Sequence, residues 1–160
     1  MHEEKLSEAK VKDIMNVIVK NPTLASPNET ITEVLKKILA DTRSRHAYIV
    51  NEKGILIGSL RVNNIIAYLF PSVFFIEEFA SIPVSSFVEY TNAKMAKDIM
   101  NNDPQYVYEN TSLKEMVKTM LSEKVNELPV VDKNKKVIGE VNVMELIAFH
   151  LNANKIGGTK

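Results

Sequence analysis

The feature that most limits what this chain can fold into is an internal repeat. Ala47–Val50, the polar turn Asn51–Gly54, the run Leu56-Ile57-Gly58-Ser59-Leu60 and Ile65-Ile66-Ala67 recur about 81 residues later. Their second copies are Leu128–Val131, Asp132–Lys136, Val137–Val141 and the helical pattern that starts near Glu145. Self-similarity at a fixed offset decides architecture before any single residue does. The apolar, β-branched runs in each copy predict two strands joined by a polar turn. Gly139 lies inside the second of these strands, where glycine often marks the close approach of a ligand or another backbone. Asn142, with Glu145 three residues on, has the spacing of a helix start.

The repeat extends upstream. Val11-Lys12-Asp13-Ile14-Met15 opens the first copy and Ala96-Lys97-Asp98-Ile99-Met100 the second. Pro22 and Pro104 follow, then short predicted strands near Thr23–Ala25 and Gln105–Tyr108. Next comes an amphipathic helix in each copy. Its apolar positions are Ile31, Val34, Leu35, Ile38 and Leu39 in one, and Leu113, Met116, Val117, Met120 and Leu121 in the other. Both sets follow i, i+3, i+4, i+7, i+8, a single core-facing stripe. Thr30 with Glu33, and Ser112 with Glu115, each spell a capping box.

The order is therefore β-α-β-β-α, written twice. A unit of roughly 55–60 residues buries little apolar surface alone. The expectation is an α/β (α+β) fold in which two such units share a core about a pseudo-twofold axis. The expected division is a lead-in over 1–10, repeats over 11–70 and 96–151, an aromatic helical insert over 71–95 and a tail over 152–160. Five of the six phenylalanines fall between Phe70 and Phe87. That insert either covers its own core or offers an oligomer or partner surface, where aromatic residues are favoured.

Composition narrows function by exclusion. The chain has 160 residues, 20 basic and 20 acidic side chains and no cysteine. Zero formal net charge offers no global field to draw the protein to nucleic acid or anionic lipid. Absent cysteine removes disulfides and thiol chemistry, and a cytoplasmic location is expected. The N-terminus lacks the apolar core of a signal peptide. The most apolar stretch, Ile65–Ile76, is interrupted by Pro71 and too short to span a bilayer. His2, His46 and His150 share no ligand spacing, so no metal site is expected. No nucleophile elbow or phosphate loop is present, and catalysis is not expected. The lysines of 133–136 suit a solvated turn, and Met95, Met100, Met116 and Met120 suit core filling.

The duplicated unit, with Leu-Pro-Val-Val-Asp at 128–132 and a glycine-containing strand before the last helix, resembles the cystathionine-β-synthase (CBS) domain family. The resemblance covers about Val11–Leu151 and looks like a stand-alone pair. It implies a regulatory module that binds an adenosine-containing ligand (AMP, ADP, ATP or S-adenosylmethionine) in a cleft between the repeats. It also implies a homodimer that signals to an unknown effector protein. The family's ligand motif is glycine, a hydroxyl residue three on and aspartate three further. Here the matching positions are Gly58, Arg61 and Asn64, and Gly139, Asn142 and Glu145. Neither copy fits. Glu145 keeps a carboxylate for the ribose hydroxyls, Asn142 offers an amide, Asn64 bonds without charge, and Arg61 suits phosphate. The family's base-binding backbone maps to Asn21, Pro22 and Thr23 with Arg45, His46, Ala47 and Tyr48. In the other repeat it maps to Asp103, Gln105 and Tyr106 with Asn126, Leu128 and Pro129.

Bland readings stand beside these. Asn142 and Glu145 are fully explained as a cap, although a helix N-terminus also suits an anion. Arg43, Arg45 and Arg61 all fall in the first repeat, as phosphate ligands or as solvated surface. The rival to a sensor is a dimerisation scaffold that has lost its ligand.

Overall fold

The computed structural model describes residues 2–76 and 87–156. The elements run α1 (His2–Glu8), a 3₁₀ turn (Val11–Asp13), β1 (Leu24–Ala25), α2 (Ile31–Ala40), β2 (Ala47–Val50), β3 (Leu56–Leu60) and α3 (Val62–Leu69). They continue α4 (Pro71–Ile76), α5 (Phe87–Asn92), α6 (Ala96–Ile99), β4 (Val107–Tyr108), α7 (Leu113–Glu123), β5 (Glu127–Val131), β6 (Val137–Asn142) and α8 (Val143–Ile156). The fold is mixed α+β with two three-stranded sheets, ordered β1-β2-β3 and β4-β5-β6. In each, the first pairing is parallel and the second antiparallel. The helix between the first two strands supplies the long connection that a parallel pairing needs.

The chain packs as two compact units, Thr23–Pro104 and Met1–Pro22 with Gln105–Lys160. We call them the Gly58 unit and the Gly139 unit. The opening motif of each repeat therefore packs with the sheet of the other. Backbone hydrogen bonds explain the exchange. Val11, Lys12 and Leu113 N–H donate to Thr111, Glu109 and Ala9 carbonyls in the Gly139 unit. Ala96, Lys97 and Ile31 N–H donate to Glu29, Pro27 and Lys94 carbonyls in the Gly58 unit. The two triplets are the same three bonds made twice.

Both capping boxes form. Thr30 Oγ1 accepts from Glu33 N–H at 3.2 Å, and Glu33 accepts in return from Thr30 N–H at 2.9 Å. Ser112 and Glu115 repeat the pattern. The stripes they open bury Ile31, Val34, Leu113, Met116 and Met120. Their last members do not go in: Leu39 and Leu121 are both 74% exposed. At 100° per residue the i+8 position lies about 80° from the first, at the stripe's outer edge.

One core holds Val34, Ala47, Ile49, Leu60, Ala96 and Ile99. The other holds Val11, Ile14, Leu128, Val130, Val141 and Met116. Phe74 and Tyr90 join the first, with Phe87 packed against it, so those parts of the insert cover their own core. Phe79 lies outside the described residues.

Candidate functional site

Gly58 and Gly139 each sit in a strand paired to the preceding one, opposite Ile49 and Val130. What approaches each of them is a neighbouring chain segment. A Cβ on Gly58 would lie 2.6 Å from Met100 Sδ and 3.1 Å from the Asn101 carbonyl oxygen. A Cβ on Gly139 would collide with Met15 Cε and lie 2.6 Å from Asn16 Oδ1. These are the equivalent Met-Asn pairs of the two opening motifs. Each glycine is kept small by the exchanged segment.

Three residues past Gly139, Asn142 caps α8. Its Oδ1 accepts from Met144 N–H at 2.9 Å and Glu145 N–H at 3.2 Å. Glu145 returns the bond, with Oε2 accepting from Asn142 N–H at 3.1 Å. Its Oε1 accepts from three consecutive amides, Val17 and Ile18 at 3.1 Å and Val19 at 3.4 Å. Glu145 is 1% exposed. Sequence reading offered its carboxylate to ribose hydroxyls. It offered the same carboxylate to a cap, and the cap is what forms: both oxygens are engaged by backbone donors. The signal missed was the exchange: nothing in the local pattern says that residues 17–19 return to meet α8.

The Gly58 unit solves the same position differently. Asn64 Oδ1 accepts from Arg61 N–H at 3.0 Å, and its Nδ2 donates to Tyr90 Oη at 3.0 Å. Tyr90 Oη in turn donates to the Ile99 carbonyl at 3.3 Å. Burial pushes the Tyr90 phenol upward. Asn64, read from the sequence as a ribose contact, is buried and hydrogen-bonded inside the unit. Arg61 gives α3 no side-chain cap. Among the described residues its guanidinium makes no ion pair.

Around Arg61 lies a polar sheet face. The pleat puts Tyr48 and its ladder partner Ser59 on the side away from Ala47, Ile49 and Leu60. The Ser59 hydroxyl is buried with no hydrogen-bond partner among the described residues. His46 meets Tyr48 edge-on, with ring centroids 6.4 Å apart. Burial, then the charges of Arg61 and Arg45, push His46 down to about 4, so the ring is neutral. Arg45 is exposed, and Thr23 is tied in by its carbonyl, which accepts from Tyr48 N–H at 2.9 Å. Arg43 does not join this group. Its fork is held by Asp41 at 2.7 Å.

The remaining positions scatter. Asn21, Asp103 and Asn126 are exposed, Pro22 and Gln105 half-buried, and the side chains of Ala47 and Leu128 belong to the cores. Asn126 contributes its carbonyl to Val143 N–H at 2.9 Å. Pro129 is buried opposite Glu140 in the ladder. Tyr106 pairs edge-on with Tyr108 at 5.5 Å, with Lys135 Nζ 5.5 Å from its ring. Sequence reading missed Ser59, Glu127 and Glu140 as buried polar groups. A polar residue inside an otherwise apolar strand was the available signal. Among the described residues no three acidic or histidine side chains gather as a metal site requires, and no helix is long and apolar enough to cross a membrane.

The fold and the paired glycine positions define a tandem β-α-β-β-α module. The CBS domain model matches residues 11–71 and 96–152, and the chain belongs to that family. A curated relative, an uncharacterized 33.4 kDa protein of a ribosomal RNA operon in Thermofilum pendens, is 29% identical over 112 residues, 69% of this chain and 36% of its own length. An uncharacterized Methanopyrus kandleri protein is 29% identical over 76% of this chain and 54% of its own length. The chain thus spans about a third to a half of these relatives. A CBS domain-containing protein of Thermotoga maritima superposes with a TM-score of 0.73 at 29% identity, covering 88% of this chain and 93% of its own. CBSX2, solved in complex with AMP, gives 0.73 at 19% identity, covering 91% and 98%. The CBS domain pair of protein MJ0100, solved with 5′-methylthioadenosine and S-adenosyl-L-methionine, gives 0.68 at 23%, covering 91% and 98%.

Proposed function

We propose that this chain is a cytoplasmic regulatory module, not an enzyme, that binds an adenosine-containing ligand and passes its presence to a partner protein. The observation that carries the reading is Arg61. Among the described residues it makes no ion pair, and it follows by two positions Ser59, whose buried hydroxyl has no hydrogen-bond partner among those residues. Arginine's fork suits phosphate oxygens, and AMP in CBSX2 and the two adenosine ligands of the MJ0100 pair support the ligand class. Binding shifts a protein's equilibrium only by its differential affinity for two states, and that shift would be the signal.

A thermal-unfolding panel of AMP, ADP, ATP and S-adenosylmethionine tests this. A ligand at about 100 times its Kd adds roughly 2.7 kcal/mol to stability, readable as a raised Tm. No shift with any of the four overturns the reading.

The scaffold alternative has its own support. Ile66 on α3 and Phe70 just after it are 44% and 62% exposed, and their counterparts Ile147 and Leu151 on α8 are 46% and 56% exposed. Apolar stripes at matched positions favour a second copy of this chain as partner. Phe70→Glu with Leu151→Glu then yields monomers in sedimentation velocity; an unchanged sedimentation coefficient rejects a dimer built on these helices.

A further inference from the structure

Asn64 and Glu145 hold matching positions in α3 and α8, yet they reach their surroundings differently. Glu145 meets the stretch after the first opening motif by itself, through the Val17, Ile18 and Val19 amides. Asn64 meets the second opening motif through an intermediary. Its Nδ2 donates to Tyr90 Oη at 3.0 Å, and that hydroxyl donates onward to the Ile99 carbonyl at 3.3 Å. Tyr90 belongs to α5, in the insert that has no copy elsewhere in the chain.

The phenol thus joins three elements at one point. Toward α3, Asn64 Oδ1 accepts from Arg61 N–H at 3.0 Å and so fixes the first turn. Toward α6, Ile99 is the last helical residue and Met100 after it lies against Gly58. Asn101 then exchanges two backbone bonds with Ser59, at 2.8 and 3.1 Å. The third element is α5 itself. Tyr90 and Asn64 are both buried, and Phe87 and Ala93 pack on the same core as the Tyr90 ring. Val88, Glu89, Thr91 and Asn92 are exposed. Packing asks only for the ring, since a phenylalanine would fill the same space. What the hydroxyl adds is a polar link, and breaking it leaves a buried amide and a buried carbonyl each short of a partner. Hydrogen bonds in series in a low-dielectric interior also strengthen one another.

We propose that Tyr90 makes the insert the output element of the Gly58 unit: through its hydroxyl, α5 opens and closes together with the first turn of α3 and the Ser59–Asn101 bridge. Coupling of this kind is carried by hydrogen-bond networks whose members open as one cooperative unit. The signal it carries rests on the adenosine reading; the coupling itself does not. A ligand that tightens the start of α3 also tightens α5, and the exposed face of α5 presents the change to a partner.

Hydrogen exchange on the full chain tests the coupling without any ligand. Thr91→Pro disturbs α5 from its exposed side, and Thr91→Gly does so more mildly should proline prevent folding. The distant probes are the Arg61 and Asn101 amides, bonded to Asn64 and Ser59. With Tyr90 present, Thr91→Pro speeds both by about tenfold or more, and Thr91→Gly by about twofold. In a Tyr90→Phe background the same substitutions leave both probes within about 1.5-fold of Tyr90→Phe alone. Equal acceleration in the two backgrounds means that packing carries the coupling, and overturns the role of the hydroxyl. Unchanged probes with Tyr90 present overturn the coupling altogether. The signal is read with AMP and ATP: either one, once bound, slows exchange of the α5 amides by about threefold or more. Tyr90→Phe abolishes that slowing at equal occupancy; slowing that survives overturns the relay. If neither nucleotide binds, the adenosine reading falls and the Thr91 comparison alone decides whether the insert is coupled.

Discussion

Glu145 and Ile18, 127 positions apart in the chain, are joined by a 3.1 Å hydrogen bond from the Ile18 N–H to Glu145 Oε1. The neighbouring Val17 and Val19 amides converge on the same oxygen. One side chain thereby fixes the loop that follows the exchanged opening motif. Glu145→Ala leaves these donors, and the Asn142 N–H, without their acceptor. Hydrogen bonds to a charged group contribute about 1.5–3 kcal/mol, and leaving buried donors unmade costs more than the mean bond. The expected loss is about 3 kcal/mol in urea unfolding. Asn64→Ala, which removes an uncharged partner, loses about half as much. Equal losses would refute the contrast.

The two strand glycines make a second, paired prediction. Gly58→Ala must push against the Asn101 carbonyl as well as Met100 Sδ, whereas Gly139→Ala meets the flexible ends of Met15 and Asn16. Overpacking of this kind costs about 1–3 kcal/mol. Gly58→Ala falls at the upper end, because backbone yields less than a side-chain tip. A double-mutant cycle reads the contact directly. Gly139→Ala with Met15→Ala is less destabilised than the sum of the single variants, by about 1 kcal/mol. Strict additivity would show that the methionine is not the obstacle.

These contacts mark where the sequence stops being informative. The β-α-β-β-α order, the matched sheets, the Thr30 and Ser112 boxes and the core stripes were legible because each is a local pattern written twice. Gly58 and Gly139 announced that something comes close, and something does. What approaches is Met100-Asn101 in one case and Met15-Asn16 in the other, and that depends on the exchange of opening motifs. No window of residues encodes such an exchange. The same blindness left Glu145 half read: its cap with Asn142 is local and was legible, whereas its bonds to the amides of Val17–Val19 come only from long-range folding. Arg61 was legible as a departure from the family's motif, an arginine where a hydroxyl residue is usual. That it makes no ion pair among the described residues was visible only in three dimensions.

The hairpin turns offer a test of backbone strain. Gly54 has φ +76°, and the residue at the matching place in the second hairpin is Lys135, at φ +61°. Both turns close with the same bond, Asn51 N–H to Ile55 carbonyl and Asp132 N–H to Lys136 carbonyl. A side chain in the left-handed region costs about 1 kcal/mol relative to glycine. Lys135→Gly therefore raises stability by up to about 1 kcal/mol, reduced by the lost contact of Lys135 Nζ with the Tyr106 ring. Gly54→Ala lowers it by a similar amount, with no steric contribution, since nothing lies within 4 Å of the new Cβ. Thermal unfolding of both variants decides it. A stabilised Gly54→Ala variant would contradict the argument.

His46 makes stability depend on pH in a direction that can be worked out. Its folded value is pushed down to about 4 from an ordinary 6.5 by burial and by the charges of Arg61 and Arg45. Between those values the unfolded chain takes up a proton that the folded chain refuses. Stability then rises with pH wherever the unfolded state binds more protons. The neutral ring's contribution is fully present above about pH 6.5 and drains away as pH falls toward 4. At about 1.4 kcal/mol per pH unit, the loss from this residue at pH 5 is about 2 kcal/mol. His46→Gln removes the titration and keeps a polar side chain of similar reach. The unfolding free energy from urea titrations should fall less between pH 7.5 and pH 5 in the variant than in the parent, by about that amount. A variant that loses as much stability on acidification as the parent would show that His46 is not the group responsible.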